Sequence, residues 1–203
     1  MKKSLSLVLA SGSPRRKELL AQLGYDFDIV LPDIEEAKQA DEQAQDYVLR
    51  LSLEKAQAGL ALAKPDSVVL GSDTVVVCDD RVLEKPKSFE DSKRMLTDLS
   101  GRRHQVMTAV SVVSSEQQHS VVVTTDVWFK PLTHEEIEQY WQSGEPCDKA
   151  GSYGIQGLGG RFVTRIEGSY HAVVGLPLFE TDQLIQEFFI IVLRCAHECR
   201  IAA

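Results

Sequence analysis

Residues 7–20, LVLASGSPRRKELL, carry the reading on which the fold class turns. The segment starts as a short apolar run, taken as a buried strand over residues 5–10, breaks at Ser11-Gly12-Ser13 and then starts a helix. Ser13 is a side-chain acceptor placed to cap that helix, and the fixed φ of Pro14 suits its first position. Two arginines follow at once. A helix N-terminus already presents unpaired N–H groups and a partial positive charge. Arg15 and Arg16 therefore put cations where Asp or Glu would be stabilising, and the pair is either ordinary solvated surface or a grip for an anion. The Ser11 and Ser13 hydroxyls, Gly12 and the free amides of the first turn offer phosphate donors, and guanidinium forks hold phosphate oxygens at two points.

Outward from this unit, Gly24 closes the first helix and FDIVL (27–31) reads as a second strand. Residues 33–43, DIEEAKQADEQ, are acidic and irregular, and read as a loop. A long helix from about Ala44 to Ala63 puts Val48, Leu51 and Leu62 on one face, with Lys55 on the same stripe. A lysine there either snorkels outward or meets an anion. Residues 67–83, SVVLGSDTVVVCDDRVL, read as two apolar runs interrupted at Gly71-Ser72-Asp73-Thr74, with a turn at Asp79-Asp80. Asp73 is out of place among β-favouring residues. It is either a turn residue or a carboxylate held at a strand end to orient water or a divalent cation.

Ser88 caps a helix that Gly101 closes, and two strands at roughly 105–113 and 121–129 pair antiparallel around a turn near Glu116. Thr133 and Glu136 form a capping box for a helix that stops at Gly144. A hairpin is expected around Glu167-Gly168, with His171 at a strand start, and a final helix near Phe179–Phe189. The mixture reads as α/β with a central mixed sheet flanked by helices. One domain is expected over residues 1–190, followed by an atypical apolar, cysteine-bearing tail at 191–203.

The chain has 203 residues, 43% of them hydrophobic, and a formal net charge of −8. That balance argues against general nucleic-acid binding, so any polyanion must be handled in a local basic pocket. Four cysteines (Cys78, Cys147, Cys195, Cys199) form no framework, which fits a reducing cytoplasm, and no stretch approaches the ~18 apolar residues of a membrane span. There is no G-x-S-x-G elbow, no H-E-x-x-H and no paired C-x-x-C; Cys195-Ala-His197-Glu-Cys199 lacks a second half-site. Glu84-Lys85-Pro86 by itself is a loop. Gly154-Ile155-Gln156-Gly157-Leu158-Gly159-Gly160 lets the backbone approach a neighbour and offers the Gln156 amide, a donor and an acceptor, to a base edge. It is neither a P-loop nor a dinucleotide fingerprint, and alone it marks a flexible turn.

Taken in order, SGSPRRKELL, IEE, EKA, GSDTVV, LEKP, LSGRRHQVMTAV, DKAGSYGIQGLGG and GSYHAVVGLPL resemble the Maf proteins, house-cleaning nucleoside triphosphate pyrophosphatases, over about residues 5–187. The resemblance implies a Maf-type α/β fold related to that of inosine triphosphatase, a substrate cleft and commonly a homodimer. It also implies hydrolysis between the α- and β-phosphates with a divalent metal, Mg²⁺ or Mn²⁺. Carried over, Asp73 is the proton acceptor that activates water, and Ser11, Arg15, Arg16, Lys55 and Lys85 hold the triphosphate. Glu36 helps Asp73 place the metal, while Arg15, Thr74 and Gln156 match positions tied to substrate choice. The GSDT and GSYGIQG versions resemble the branch acting on dTTP and UTP, with modified uridine triphosphates a natural extension. The sister branch preferring 7-methyl-GTP has a glutamate where Gln156 stands. An amide matches the mixed acceptor and donor edge of uracil or thymine, whereas a carboxylate suits the donor-rich edge of guanine. The competing readings are a nucleotide-sensing regulator of septum formation that needs no turnover, and a nucleic-acid-binding module.

Overall fold

In the computed structural model, which describes residues 6–201 and side chains through Phe189, strand β1 (Ser6–Ala10) runs into helix α1 (Pro14–Gln22) and strand β2 (Phe27–Val30). Helix α2 (Ala44–Leu62) leads to strand β3 (Ser67–Cys78), which turns back into β4 (Arg81–Leu83). Helix α3 (Phe89–Leu99), strands β5 (Arg103–Val113) and β6 (Gln118–Phe129) and helix α4 (His134–Gln142) follow. Short 3₁₀ turns between Glu145 and Phe162 carry the chain into β7 (Val163–Glu167), α5 (Tyr170–Val174) and α6 (Leu178–Ile201).

The seven strands form one mixed sheet in the order β2-β1-β3-β5-β6-β7, with β4 beside β3. β2, β1 and β3 are parallel, as their helical crossovers α1 and α2 require; the rest pair antiparallel. β3 organises the molecule. One of its edges is paired with β5 from Val69 to Val77. On the other edge β1 covers Ser67–Leu70 and β4 covers Val76–Cys78, so on that edge residues 71–75 are unpaired by any strand among the described residues. The sheet is open there, at the carboxyl end of β1, which is where open α/β sheets place their ligands.

Strand alternation sends successive side chains to opposite faces. Val8, Ala10, Val69 and Val113 pack with Ala56 of α2 on one face, while Leu7, Leu9, Val68, Leu70 and Val110 pack with α1, α5 and α6 on the other. Val76, Val106 and Phe129 pack with α3, α4 and the 3₁₀ segment. The helix starts obey their local signals: Ser13 and Ser88 accept the Arg16 and Asp91 amides, and Thr133 with Glu136 closes a capping box.

Four expectations are corrected. Gly71–Thr74 is no interruption: β3 is one twelve-residue strand, because β5 satisfies its backbone residue by residue. Leu62 is 60% exposed, so the buried stripe of α2 runs through Val48, Leu51, Lys55, Ala56 and Gly59 instead. A strict seven-residue spacing drifts off the buried face of a 3.6-residue helix. The chain after Glu167 forms no hairpin; Ser169 caps α5, placing His171 in a helix, and Ala172 and Val174 supply its buried face. The last helix does not stop near Phe189 but continues to Ile201. The side chains of Cys195, His197 and Cys199 lie outside the described residues, and no helix among the described residues is long and apolar enough to cross a membrane.

Candidate active site

A cleft of about 1100 Å³ opens at the gap in the sheet. Every sequence-selected residue lines it: Ser11, Arg15 and Arg16 from the start of α1, Glu36 from the loop after β2, Lys55 from α2, Asp73 and Thr74 from β3, Lys85 after β4, and Gln156 from the glycine loop.

Asp73 and Thr74 are neighbours that face opposite ways. Asp73 points to α2, where Lys55 Nζ donates to its Oδ1 at 2.7 Å; both residues are buried. The same ammonium lies 2.7 Å from Glu36 Oε1, and Lys85 Nζ stands 3.7 Å from Glu36 Oε2. Lys55 thus meets an anion rather than snorkelling. Burial pushes the Glu36 carboxyl up, but the hydrogen bond and charge of Lys55, with Lys85 and Arg16 adding to them, hold it below the usual carboxylate range.

Thr74 points to the α1 face. Its hydroxyl accepts Arg16 Nη2 at 3.3 Å and shares a 3.0 Å hydrogen bond with Thr108. Arg16 Nε donates to the Gly175 carbonyl at 3.0 Å, which also accepts Ser72 Oγ at 3.1 Å. The two arginines therefore differ. Arg16 is tied to β3 and to the end of α5; burial lowers its pKa, Asp73 opposes this and Arg15 adds to it, yet a guanidinium remains a cation. Arg15 stands at the mouth of the cleft, where Nη1 reaches Asp148 Oδ2 at 3.4 Å. Ser11 Oγ accepts the Ser13 amide at 3.1 Å, keeping the turn before α1 tight. The Gln156 side chain is exposed and has no hydrogen-bond partner among the described residues, so its amide is available to the cleft.

Sequence reasoning missed Tyr47 and Glu84. Tyr47, buried on α2, carries a hydroxyl 3.1 Å from the Glu36 carbonyl and 3.3 Å from Glu84 Oε1, so it pins the loop bearing Glu36 beside the segment bearing Lys85. Its place on the α2 stripe beside Val48 was visible, but a core tyrosine and a loop-anchoring one look alike in sequence.

Glu36 and Asp73, both within reach of one ammonium, are hard oxygen donors of the kind that suits Mg²⁺ or Mn²⁺. Among the described residues no three His, Cys, Asp or Glu side chains are grouped to hold an ion. Mg²⁺ commonly needs only one or two carboxylates beside substrate phosphates, so the donor set fits it.

A family model described as Maf-like protein matches residues 6–188. The chain belongs to the Maf family. Maf relatives include a dTTP/UTP pyrophosphatase of Vibrio vulnificus (strain YJ016), 80% identical over 182 residues that span 90% of this chain and 98% of that one. The dTTP/UTP pyrophosphatase of Vibrio cholerae serotype O1 is 69% identical over 90% of this chain and 97% of its own. One from Escherichia coli O6:K15:H31 is 57% identical, over 90% and 93% respectively. Among solved structures, the Staphylococcus aureus Ham1 protein aligns with a TM-score of 0.43 at 14% identity, covering 61% of this Maf chain and 71% of that one.

Proposed function

We propose that this Maf protein is a nucleoside triphosphate pyrophosphatase that hydrolyses dTTP and UTP to the monophosphate and pyrophosphate, and modified uridine triphosphates in the same way. The observation that carries the reading is one buried carboxylate, Asp73, facing a cleft that also holds Arg15, Arg16, Lys55 and Lys85. Phosphoryl transfer asks mainly for positioning and charge neutralisation, and these cations from three separate segments provide both. Ser11 and the amides of the first α1 turn bind phosphate oxygens. Asp73 takes the proton of the attacking water, the bond between the α- and β-phosphates breaks, and pyrophosphate leaves. Glu36 and Asp73 would hold a divalent cation, which when bound neutralises phosphate charge and lowers the pKa of water. Arg15, Thr74 and Gln156 select the nucleotide, with the Gln156 amide pairing with the mixed edge of uracil or thymine.

The names of the relatives support this substrate choice. We further propose one catalytic domain over residues 1–190 with residues 191–203 outside it, a homodimer acting in the cytoplasm, and no nucleic-acid or membrane partner. The family resemblance supports the dimer, and free Cys78 and Cys147 suit a reducing compartment.

The test is pyrophosphate release from UTP, dTTP, CTP, GTP and 7-methyl-GTP with Mg²⁺ or Mn²⁺, beside Asp73→Asn. UTP and dTTP should be turned over by the wild type and not by the variant, which should still bind them. Preference for 7-methyl-GTP would keep the chemistry and refute the base assignment. Binding without any turnover would replace the enzyme with a nucleotide sensor.

A further inference from the structure

The Gln156 side chain has no hydrogen-bond partner among the described residues, so the fold of its loop sets where its amide is presented. The loop around it is held from one side. Glu145, in the 3₁₀ turn Glu145–Asp148 just after α4, lays its carboxylate along the loop. Oε2 accepts the Leu158 amide at 2.8 Å, and Oε1 accepts the Gly159 amide at 3.0 Å and the Tyr140 hydroxyl at 2.7 Å. The Tyr140 oxygen in turn accepts the Gly154 amide at 3.0 Å, so one carboxylate and one fully buried phenol hold the loop on both sides of Gln156. The fit is close: a Cβ on Gly157 would stand 2.2 Å from Glu145 Oε2 and would have to displace that carboxylate, and one on Gly159 would stand 2.6 Å from the Tyr140 oxygen and 2.9 Å from the Gly154 carbonyl oxygen. Lys149 Nζ donates to the Glu145 carbonyl at 2.6 Å, and the Glu145 amide donates to Ser143 Oγ at 3.2 Å, fixing the template itself. Burial raises the Glu145 carboxyl, but the donors from Gly159, Tyr140 and Leu158 outweigh it, so the group is an anion at neutral pH.

We propose that Glu145 is the positioning residue for base selection, its carboxylate being the template on which the Gln156 loop is folded. The proposal rests on the reading that Gln156 meets the base. Glu145 lies outside the phosphate grip, so its loss should alter which nucleotide is accepted and leave the reacting end of the cleft intact.

Glu145→Gln keeps the shape but turns an amide donor toward an N–H donor, while Tyr140→Phe removes one bond at each end of the clamp. In Glu145→Gln, amide hydrogen exchange over residues 157–159 should speed up, and KM for UTP should rise about tenfold, the scale of one lost charge-assisted hydrogen bond. The kcat should stay within about twofold, because the interaction is made equally in ground and transition states. The preference for UTP over CTP should fall toward one. Tyr140→Phe should move every readout in the same direction by less, and Glu135→Gln, an exposed change on α4, should move none. Unchanged exchange at Leu158 and Gly159, or an equal loss on UTP and CTP, would overturn the proposal. A wild type with no preference for UTP refutes the functional reading itself, whereas a selective wild type with a selective Glu145→Gln refutes only the role of Glu145.

Discussion

Arg15 and Arg16 are adjacent, share a charge and face one cleft, yet they are not equivalent. The Arg16 fork spans the Gly175 carbonyl and the Thr74 hydroxyl, a two-point geometry that an ammonium does not reproduce. Arg16→Lys should therefore lower both the melting temperature and turnover. Among the described residues Arg15 pairs with an exposed Asp148 alone, so Arg15→Lys should melt like the wild type and raise KM for the nucleotide. Calorimetry and steady-state kinetics on the two variants separate these outcomes. Lys55 is the counter-charge of a buried carboxylate, and removing one partner of such a pair strands the other. Lys55→Met should lose roughly 3–5 kcal/mol in chemical denaturation together with its activity. If it unfolds at the wild-type midpoint, Asp73 does not depend on that ammonium for its place in the fold.

β3 and α2 are the pair of elements on which the site is built, and their contact is as close as backbone permits. A Cβ on Gly71 would stand 2.3 Å from the Ser52 carbonyl oxygen and 2.6 Å from the Ala56 nitrogen, both in the helix backbone that carries Lys55. Gly71→Ala should force α2 away from β3, costing about 1–3 kcal/mol and loosening the Lys55–Asp73 contact, so kcat should fall as well. An unchanged melting temperature would show that the helix yields freely. The cap of α4 gives the opposite case. Thr133→Ala removes a capping box that does not line the cleft and should cost about 1 kcal/mol with kcat and KM unchanged.

Across the whole molecule, the acid side of the stability curve is set partly by a buried imidazole. His104, on β5, packs its ring between Phe129 and Tyr153, with Nε2 2.8 Å from the Tyr153 hydroxyl and Nδ1 without a partner among the described residues. Burial pulls its pKa from 6.5 down to about 4, with Asp126 opposing. Between those values the unfolded chain takes up a proton that the folded one refuses. Stability is therefore full above pH 6.5 and falls toward pH 4, by roughly 3 kcal/mol from this group. His104→Gln should flatten the dependence of melting temperature on pH in that window, whatever it does to the absolute value. A slope unchanged by the substitution would mean that other groups govern acid unfolding.

How much of this could be read in advance depended on range. The starts of α1, α3 and α4 were legible because Ser13, Ser88 and Thr133 satisfy amides only three residues on, and the turn at Asp79-Asp80 because both residues adopt positive φ locally. The family resemblance supplied the list of site residues, and their residue types stated the chemistry. The partners of those residues were not legible. Asp73 looks like a turn breaker until β5 is alongside to hold β3 straight; His171 looks like part of a strand until Ser169 caps a helix there. The sequence by itself determined the α/β class with a mixed sheet, the capped starts of α1, α3 and α4 and the presence of an anion-handling set. Only the tertiary structure decided that β3 lies uncovered between β1 and β4, that Asp73 faces Lys55 while Thr74 faces Arg16, and that Glu145 holds the loop of Gln156. The reason is physical: caps and turns are settled by atoms a few residues apart, whereas a site is settled by which distant segments the sheet brings within hydrogen-bond reach.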